Sequence, residues 1–225
     1  MDAETNQTGD IQQRLLEAAR LTFAEKGYHH GTVAEICERA GANIAAVNYY
    51  FRSKDNLYVE AWRQTFARSV SKHPPDGGAP ATAPPEDRLR GRIRAIVERI
   101  ADPKSHEFDI VHKEFANPTG LLSEAMIQAI EPIQRGMTAV VQELLGPSVS
   151  SQQVMLCEKS IMTQCIHFLM SERFQQTLPE SVRLPLPPPP NVDPQTLADH
   201  IFRFCLAGLR GVRRQIETGA IQESE

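Results

Sequence analysis

Ile11, Leu15, Ala19 and Phe23 recur every fourth residue, and Leu16 widens the stripe they draw. That spacing predicts a helix with one buried face, and Gly27 is suited to close it in a left-handed cap. Thr32-Val33-Ala34-Glu35 reads as a T-x-x-E capping box opening a second helix, with Val33, Ile36 and Ala40 inward. Gly41 stops that helix at once. Asn43 can cap a third short helix, Ile44 to about Tyr50, with Val47 and Phe51 facing the core. Ser53 can cap a fourth, Lys54 to about Val70, whose apolar contacts are Leu57, Ala61, Phe66 and Val70.

Proline then interrupts the pattern. The stretch His73 to Pro85 carries Pro74, Pro75, Gly77, Gly78, Pro80, Pro84 and Pro85, and reads as a mobile linker. Helical spacing resumes from Glu86 to Ala101, with Leu89, Ile93, Ile96, Val97 and Ile100 inward and Arg88, Arg90, Arg92 and Arg94 toward water. Phe108 to Ala116 and Leu121 to Leu145 follow, the latter with a bend predicted at Pro132. Val154 to Leu169 is apolar around most of its circumference. Leu197, Ile201, Phe204, Cys205, Gly208, Val212 and Ile216 form another stripe, and Pro185 to Pro190 is a stiff polyproline spacer between the two. Strand-like alternation is almost absent. The expected fold is all-α: an N-terminal three-helix helix-turn-helix domain over 8–71, a Pro/Gly-rich linker over 72–85, and a C-terminal helical bundle over 86–218.

Composition narrows the class further. No run of about 18 uncharged apolar residues exists, so no membrane span is expected. The polar, acidic start lacks the features of a secretory signal. Cys37, Cys157, Cys165 and Cys205 lie far apart without a CxxC pair, which suits reduced thiols and a cytoplasmic, soluble protein. GxSxG, HExxH and GxxxxGK[ST] are all missing. Cys165 and His167 stand about 200° apart around a helix and cannot share an ion. No catalytic residue, metal or cofactor is therefore expected. Net charge is −4, and the first 72 residues balance 9 Lys+Arg against 9 Asp+Glu. A nucleic-acid reader built here depends on where a few cations point.

Two short helices joined at a glycine turn, behind a longer amphipathic one, have the proportions of a helix-turn-helix, which lays its second helix in the major groove. Thr32 can offer its hydroxyl to a phosphate. Ala45 and Ala46 are small enough for close approach to base edges. Asn48 has the donor and acceptor that pair bidentately with adenine, and Tyr49 can reach a phosphate oxygen. Lys54 adds a cation at the start of the fourth helix, and Arg52, His29 and His30 can complete a cationic rim. Each residue alone also has an ordinary reading, as a plain cap, a half-buried aromatic or a surface amide. The combination carries the argument.

The run Gly31-Thr32-Val33-Ala34-Glu35-Ile36-Cys37, Ala40-Gly41-Ala42-Asn43 and Val47-Asn48-Tyr49-Tyr50-Phe51-Arg52-Ser53-Lys54-Asp55-Asn56-Leu57-Tyr58 closely resembles the N-terminal domain of TetR-family transcriptional regulators. Its most specific part is Tyr-Tyr-Phe-x-x-Lys-x-x-Leu. The resemblance implies phosphate contacts from Thr32, Tyr49 and Lys54. It also implies that Ala45, Ala46, Asn48 and Tyr50 lie at or near base edges, with Asn43 and Ile44 opening the same helix. Many relatives carry Tyr where this chain has Asn48. His112-Lys113-Glu114-Phe115-Ala116-Asn117-Pro118-Thr119, Pro132, Gln164-Cys165 and His200 to Arg210 are similar to the CecR-type C-terminal domain of one TetR subgroup.

That similarity implies a bundle that dimerises and holds an effector. The dimer candidates are Ile161, Cys165 and Phe168 on one helix and Ile201, Phe204, Cys205, Gly208 and Val212 on the next. Polar side chains on apolar helices are the effector-pocket candidates: His112, Glu114, Gln164 and His167, walled by Phe115, Met126, Met162 and Phe168. Their ordinary reading is satisfied core residues and gap-filling methionines. The expected function is a sequence-specific DNA-binding regulator, a repressor. Its partners would be a pseudo-palindromic duplex operator, a second copy of the chain and an unknown small-molecule effector. The alternatives are a helical small-molecule-binding module and a small enzyme, neither with a DNA role.

Overall fold

The computed structural model describes residues 2–177 and 192–219, with side chains over 10–171 and 192–219. The polyproline spacer Pro185–Pro190 and the end of the acidic tail lie outside the described residues. All regular structure among those described is helical: α1 (Asp2–His30), α2 (Val33–Ala40), α3 (Ile44–Phe51), α4 (Lys54–Lys72), α5 (Pro85–Ala101), α6 (Glu107–Ala116), α7 (Ser123–Leu145), α8 (Ser151–Thr177) and α9 (Pro194–Glu217). They form two compact units. Met1–Lys72 and Pro103–Ile130 make the first, and His73–Asp102 and Glu131–Glu225 make the second.

The first unit is larger than the expected span 8–71, because α6 folds back onto the N-terminal helices. Ile110 of α6 is fully buried with Leu15, Ala19 and Phe23 of α1, Ile36 of α2 and Leu57, Ala61 and Trp62 of α4. The ring of Tyr58 meets Phe23 edge-on at 4.8 Å between centroids. Gly27 interrupts α1 with φ 72 and ψ 179, an extended conformation at positive φ in place of the left-handed cap. Any β-carbon there would also crowd Lys113 of α6, 3.3 Å away.

In the second unit α5 is the axis, packed against both α8 and α9. Leu89, Ile93, Ile96, Val97 and Ile100 are buried along it, as the spacing predicts, and Ala95 is buried with them. Its arginines do more than face water. Arg88 is ion-paired with Glu143 and donates from Nε to the Ala83 carbonyl at 3.0 Å. Arg90 pairs with Asp199 at 3.0 Å and lies 3.9 Å over the Phe202 ring. Arg94 donates to the Gly77 carbonyl.

The proline-rich stretch read as a mobile linker is instead folded against α5. Turns closed by Gly77 N to Pro74 O (2.8 Å) and Ala83 N to Pro80 O (2.9 Å) shape it. Its Gly77 lies so near Gly91 that a β-carbon on Gly77 would stand 2.2 Å from the Gly91 carbonyl oxygen. Prolines that exclude helix and strand do not exclude turns, and paired glycines let two backbones touch.

Candidate nucleic-acid interface

The short helices α2 and α3 are fixed at their ends by local bonds. Thr32 caps α2, its Oγ1 accepting from the Glu35 amide at 3.2 Å. The reciprocal half of the capping box is not made, because Lys26 holds the Glu35 carboxylate at 2.8 Å. Gly41 ends α2 in the left-handed region (φ 60, ψ 42), and the Ala42 amide reaches back to the Cys37 carbonyl at 2.9 Å. Arg14 of α1 donates to the Ala40 carbonyl at 2.8 Å and ties the turn to the long helix. Asn43 opens α3, its Oδ1 accepting from the Ala46 amide at 2.9 Å. Both caps use an oxygen as acceptor, so the Thr32 hydroxyl hydrogen and the Asn43 amide hydrogens stay available to an anion.

One side of α3 is core and the other is open. Val47 and Phe51 are buried. Ile44, Ala45, Asn48 and Tyr49 are exposed, Tyr49 at 73%, while Ala46 and Tyr50 are half-buried. Tyr50 meets Tyr49 edge-on at 4.9 Å, which limits the rotamers of the exposed ring. The open face thus presents the Ile44 side chain, the Ala45 methyl, the Asn48 amide and the Tyr49 phenol, with Ala46 at its edge: groups the sequence assigned to base edges and backbone.

Lys54 is placed by a residue that sequence reasoning passed over. Its Nζ lies 4.2 Å above the ring of Tyr28, and the Tyr28 hydroxyl donates to Asp55. That bond first, and burial second, push the Tyr28 hydroxyl up to about 12. Burial lowers the Lys54 ammonium from its ordinary value, against the pull of Asp55. The signal for Tyr28 was its position directly after Gly27, which turns it out of the α1 register. The rest of the cationic rim is narrower than the charge count suggests, since Arg39 is bound to Glu25 at 2.8 Å. His29, His30 and Arg52 are exposed.

The effector-pocket candidates are shared between the two units. His112, Glu114, Phe115 and Met126 belong to the first unit, and Met162, Gln164, His167 and Phe168 to the second. Phe115 is 71% exposed. Glu114 is buried and already saturated: Tyr58 Oη (3.0 Å), the Thr119 amide (2.9 Å), the Thr119 hydroxyl (2.9 Å) and the Gly120 amide (3.0 Å) all donate to it. Burial and this carboxylate together raise the Tyr58 hydroxyl well above its ordinary range. Met162, Gln164 and Phe168 are half-buried, and His167 is exposed.

The dimer candidates divide in two. Ile161, Cys165, Ile201 and Cys205 are buried in the core of their own unit, which leaves them no surface to offer a second copy. Burial pushes the Cys165 and Cys205 thiols up, to about 12 and about 11. Phe204 is 61% exposed, Gly208 is exposed, and Phe168 and Val212 are half-buried. Among the described residues no helix is long and apolar enough to cross a membrane.

Residues 15–61 match the family "Bacterial regulatory proteins, tetR family", and residues 85–209 match "HTH-type transcriptional dual regulator CecR, C-terminal domain". The chain is 25% identical to the HTH-type transcriptional dual regulator CecR of Shigella flexneri over 171 residues, 72% of this chain and 76% of that protein. It is 39% identical over 57 residues to the HTH-type transcriptional repressor AcnR of Corynebacterium diphtheriae, 25% of this chain and 30% of that one. The transcriptional regulator FadR of Bacillus subtilis, solved in complex with stearoyl-CoA, shares the fold at a TM-score of 0.65 and 15% identity, over 88% of this chain and 98% of that one. Family matches over both halves, on a helix-turn-helix whose second helix is open on one side, make this chain a DNA-binding transcriptional regulator of the TetR family with a CecR-type C-terminal domain.

Proposed function

We propose that this regulator is a cytoplasmic homodimer that represses by occupying a pseudo-palindromic operator, and that a small-molecule effector releases it. The observation that supports this most is the open face of α3, where Ile44, Ala45, Asn48 and Tyr49 stand clear of the core. A helix of eight residues is about 12 Å long and reads only a few base pairs. Two copies related by a two-fold axis would read half-sites one DNA turn, about 34–36 Å, apart, which is how short recognition helices gain specificity. In this reading Ala45, Ala46, Asn48 and Tyr50 meet base edges, with Asn48 paired to an adenine. Thr32, Asn43, Tyr49 and Lys54 bind phosphates. Ile44 supplies apolar contact at the groove.

Repression is supported by the name of the AcnR repressor, and an effector by the stearoyl-CoA in the FadR complex. The release needs only a difference in effector affinity between operator-bound and free conformations, of order 1–3 kcal/mol.

Mobility shifts with genomic fragments at two salt concentrations test the reading, with retention of a specific fragment at moderate salt as the expected result. Tyr49→Phe should then weaken binding to every operator variant alike, about 10–100-fold for one lost hydrogen bond to a charged group. Asn48→Ala should weaken binding selectively, by about 1–3 kcal/mol at operators carrying the contacted adenine and little elsewhere. If neither substitution changes retention, α3 is not in the groove.

A further inference from the structure

Seven glycines among the described residues have positive φ: Gly27, Gly41, Gly77, Gly78, Gly120, Gly146 and Gly219. One other residue shares that conformation, and it is Arg52, at φ 71 and ψ −39. A non-glycine side chain in this region crowds its own backbone, and such positions persist where function holds them. At each of the seven other positive-φ positions the chain relieves that strain with glycine. At the junction of α3 and α4 it carries an arginine instead.

The fold does not need that side chain. What fixes the junction is backbone and neighbours. The Arg52 amide donates to the Asn48 carbonyl at 3.2 Å, Asn56 Nδ2 donates to the Phe51 carbonyl at 2.9 Å, and the Ser53 hydroxyl accepts from the Asn56 amide at 3.1 Å. A glycine at 52 would keep all three bonds. Arg52 is exposed, and among the described residues its guanidinium has no ion pair or hydrogen bond. By contrast Arg39, Lys26 and Arg14 are engaged with Glu25, Glu35 and Asp10, and Lys54 is drawn over Tyr28.

We propose that Arg52 is a DNA-phosphate clamp: an uncommitted guanidinium held beyond the C-terminal end of the recognition helix by a strained backbone. It would take a non-bridging phosphate pair in its two-pronged fork. The proposal rests on α3 lying in the groove, as above. The strained turn aims the side chain from the junction rather than from the α3 face, so it reaches the sugar-phosphate backbone beside the groove and adds affinity without sequence preference.

The test compares the full-length wild type with Arg52→Gly and Arg52→Lys on one duplex, selected by the wild type from a random pool. Operator affinity is titrated at several salt concentrations, and thermal unfolding is followed separately. Arg52→Gly should be more stable, with its midpoint raised by a few degrees, yet bind about tenfold more weakly. Its salt slope should fall by about 0.9, one released counterion. Arg52→Lys should keep the wild-type slope and midpoint.

A purely structural arginine predicts that stability and affinity move together, so opposite signs are the signature. Unchanged affinity and slope in Arg52→Gly would overturn the clamp while leaving the groove reading intact. A changed base preference at constant slope would overturn it too, in favour of a base contact. A wild type that selects no duplex at all would remove the groove reading and this inference with it.

Discussion

Glu114 sits near the C-terminal end of α6 with four donors converging on it, two from the backbone that follows and one from Tyr58, 56 positions earlier in the chain. In sequence it looks like a ligand group as a carboxylate next to the large apolar Phe115, although α6 also carries Glu107, Asp109 and Lys113. The capping roles of Thr32 and Asn43 are legible there, since each partner amide stands three residues on and the spacing itself encodes the bond. No spacing encodes a bond to Tyr58. The same limit hid Tyr28, whose partners lie on another helix. Glu114→Ala should leave the Tyr58 hydroxyl and the Thr119 and Gly120 amides without their acceptor, at a cost of about 2–4 kcal/mol. Thermal unfolding should register this as a midpoint lower by about 5–15 °C. A loss below about 1 kcal/mol would mean that water replaces the carboxylate, and Glu114 would again be free to serve a ligand.

Whole segments were read well where the apolar period is strict and poorly where chemistry had to decide. α2, α3 and α5 fall within a residue or two of the expected ends because caps, glycine stops and proline starts mark them. The stretch between α4 and α5 was read by composition alone, and composition does not distinguish a tether from a strap. Gly91 makes the difference measurable. In the middle of an isolated helix, glycine to alanine stabilises by about 1 kcal/mol. Against the strap, the new methyl would stand 2.2 Å from the Asp76 carbonyl oxygen, backbone that has no rotamer to yield. Gly91→Ala should therefore lower the urea midpoint, with the contact outweighing propensity by about 1–3 kcal/mol net. A raised midpoint would mean that the strap leaves α5 without strain.

Assembly is where the face of a helix matters more than its hydrophobicity. The apolar stripe of α9 is wider than its own unit covers. Leu197, Ala198, Ile201, Phe202, Cys205 and Leu209 are buried. About a quarter-turn around the helix lies a second strip, Phe204, Ala207, Gly208 and Gly211. In it Phe204 is 61% exposed, and β-carbons built on Gly208 and Gly211 would meet nothing within 4 Å. Sequence periodicity merged the two strips, which is why buried Ile201 and Cys205 were grouped with open Phe204 and Gly208 as dimer residues. Small residues beside one large ring let another helix approach closely, so the proposed pairing with a second copy belongs on the open strip. Phe204→Glu should leave the helical content intact but convert the protein to a single subunit by light scattering. Operator affinity should fall by two orders of magnitude or more, because one α3 reads only one half-site. Ile201→Ala should do the reverse, costing about 2–4 kcal/mol of stability while the dimer mass persists. If Phe204→Glu remains dimeric and binds as before, the two-fold axis passes elsewhere, and α9 displays its phenylalanine to some other surface.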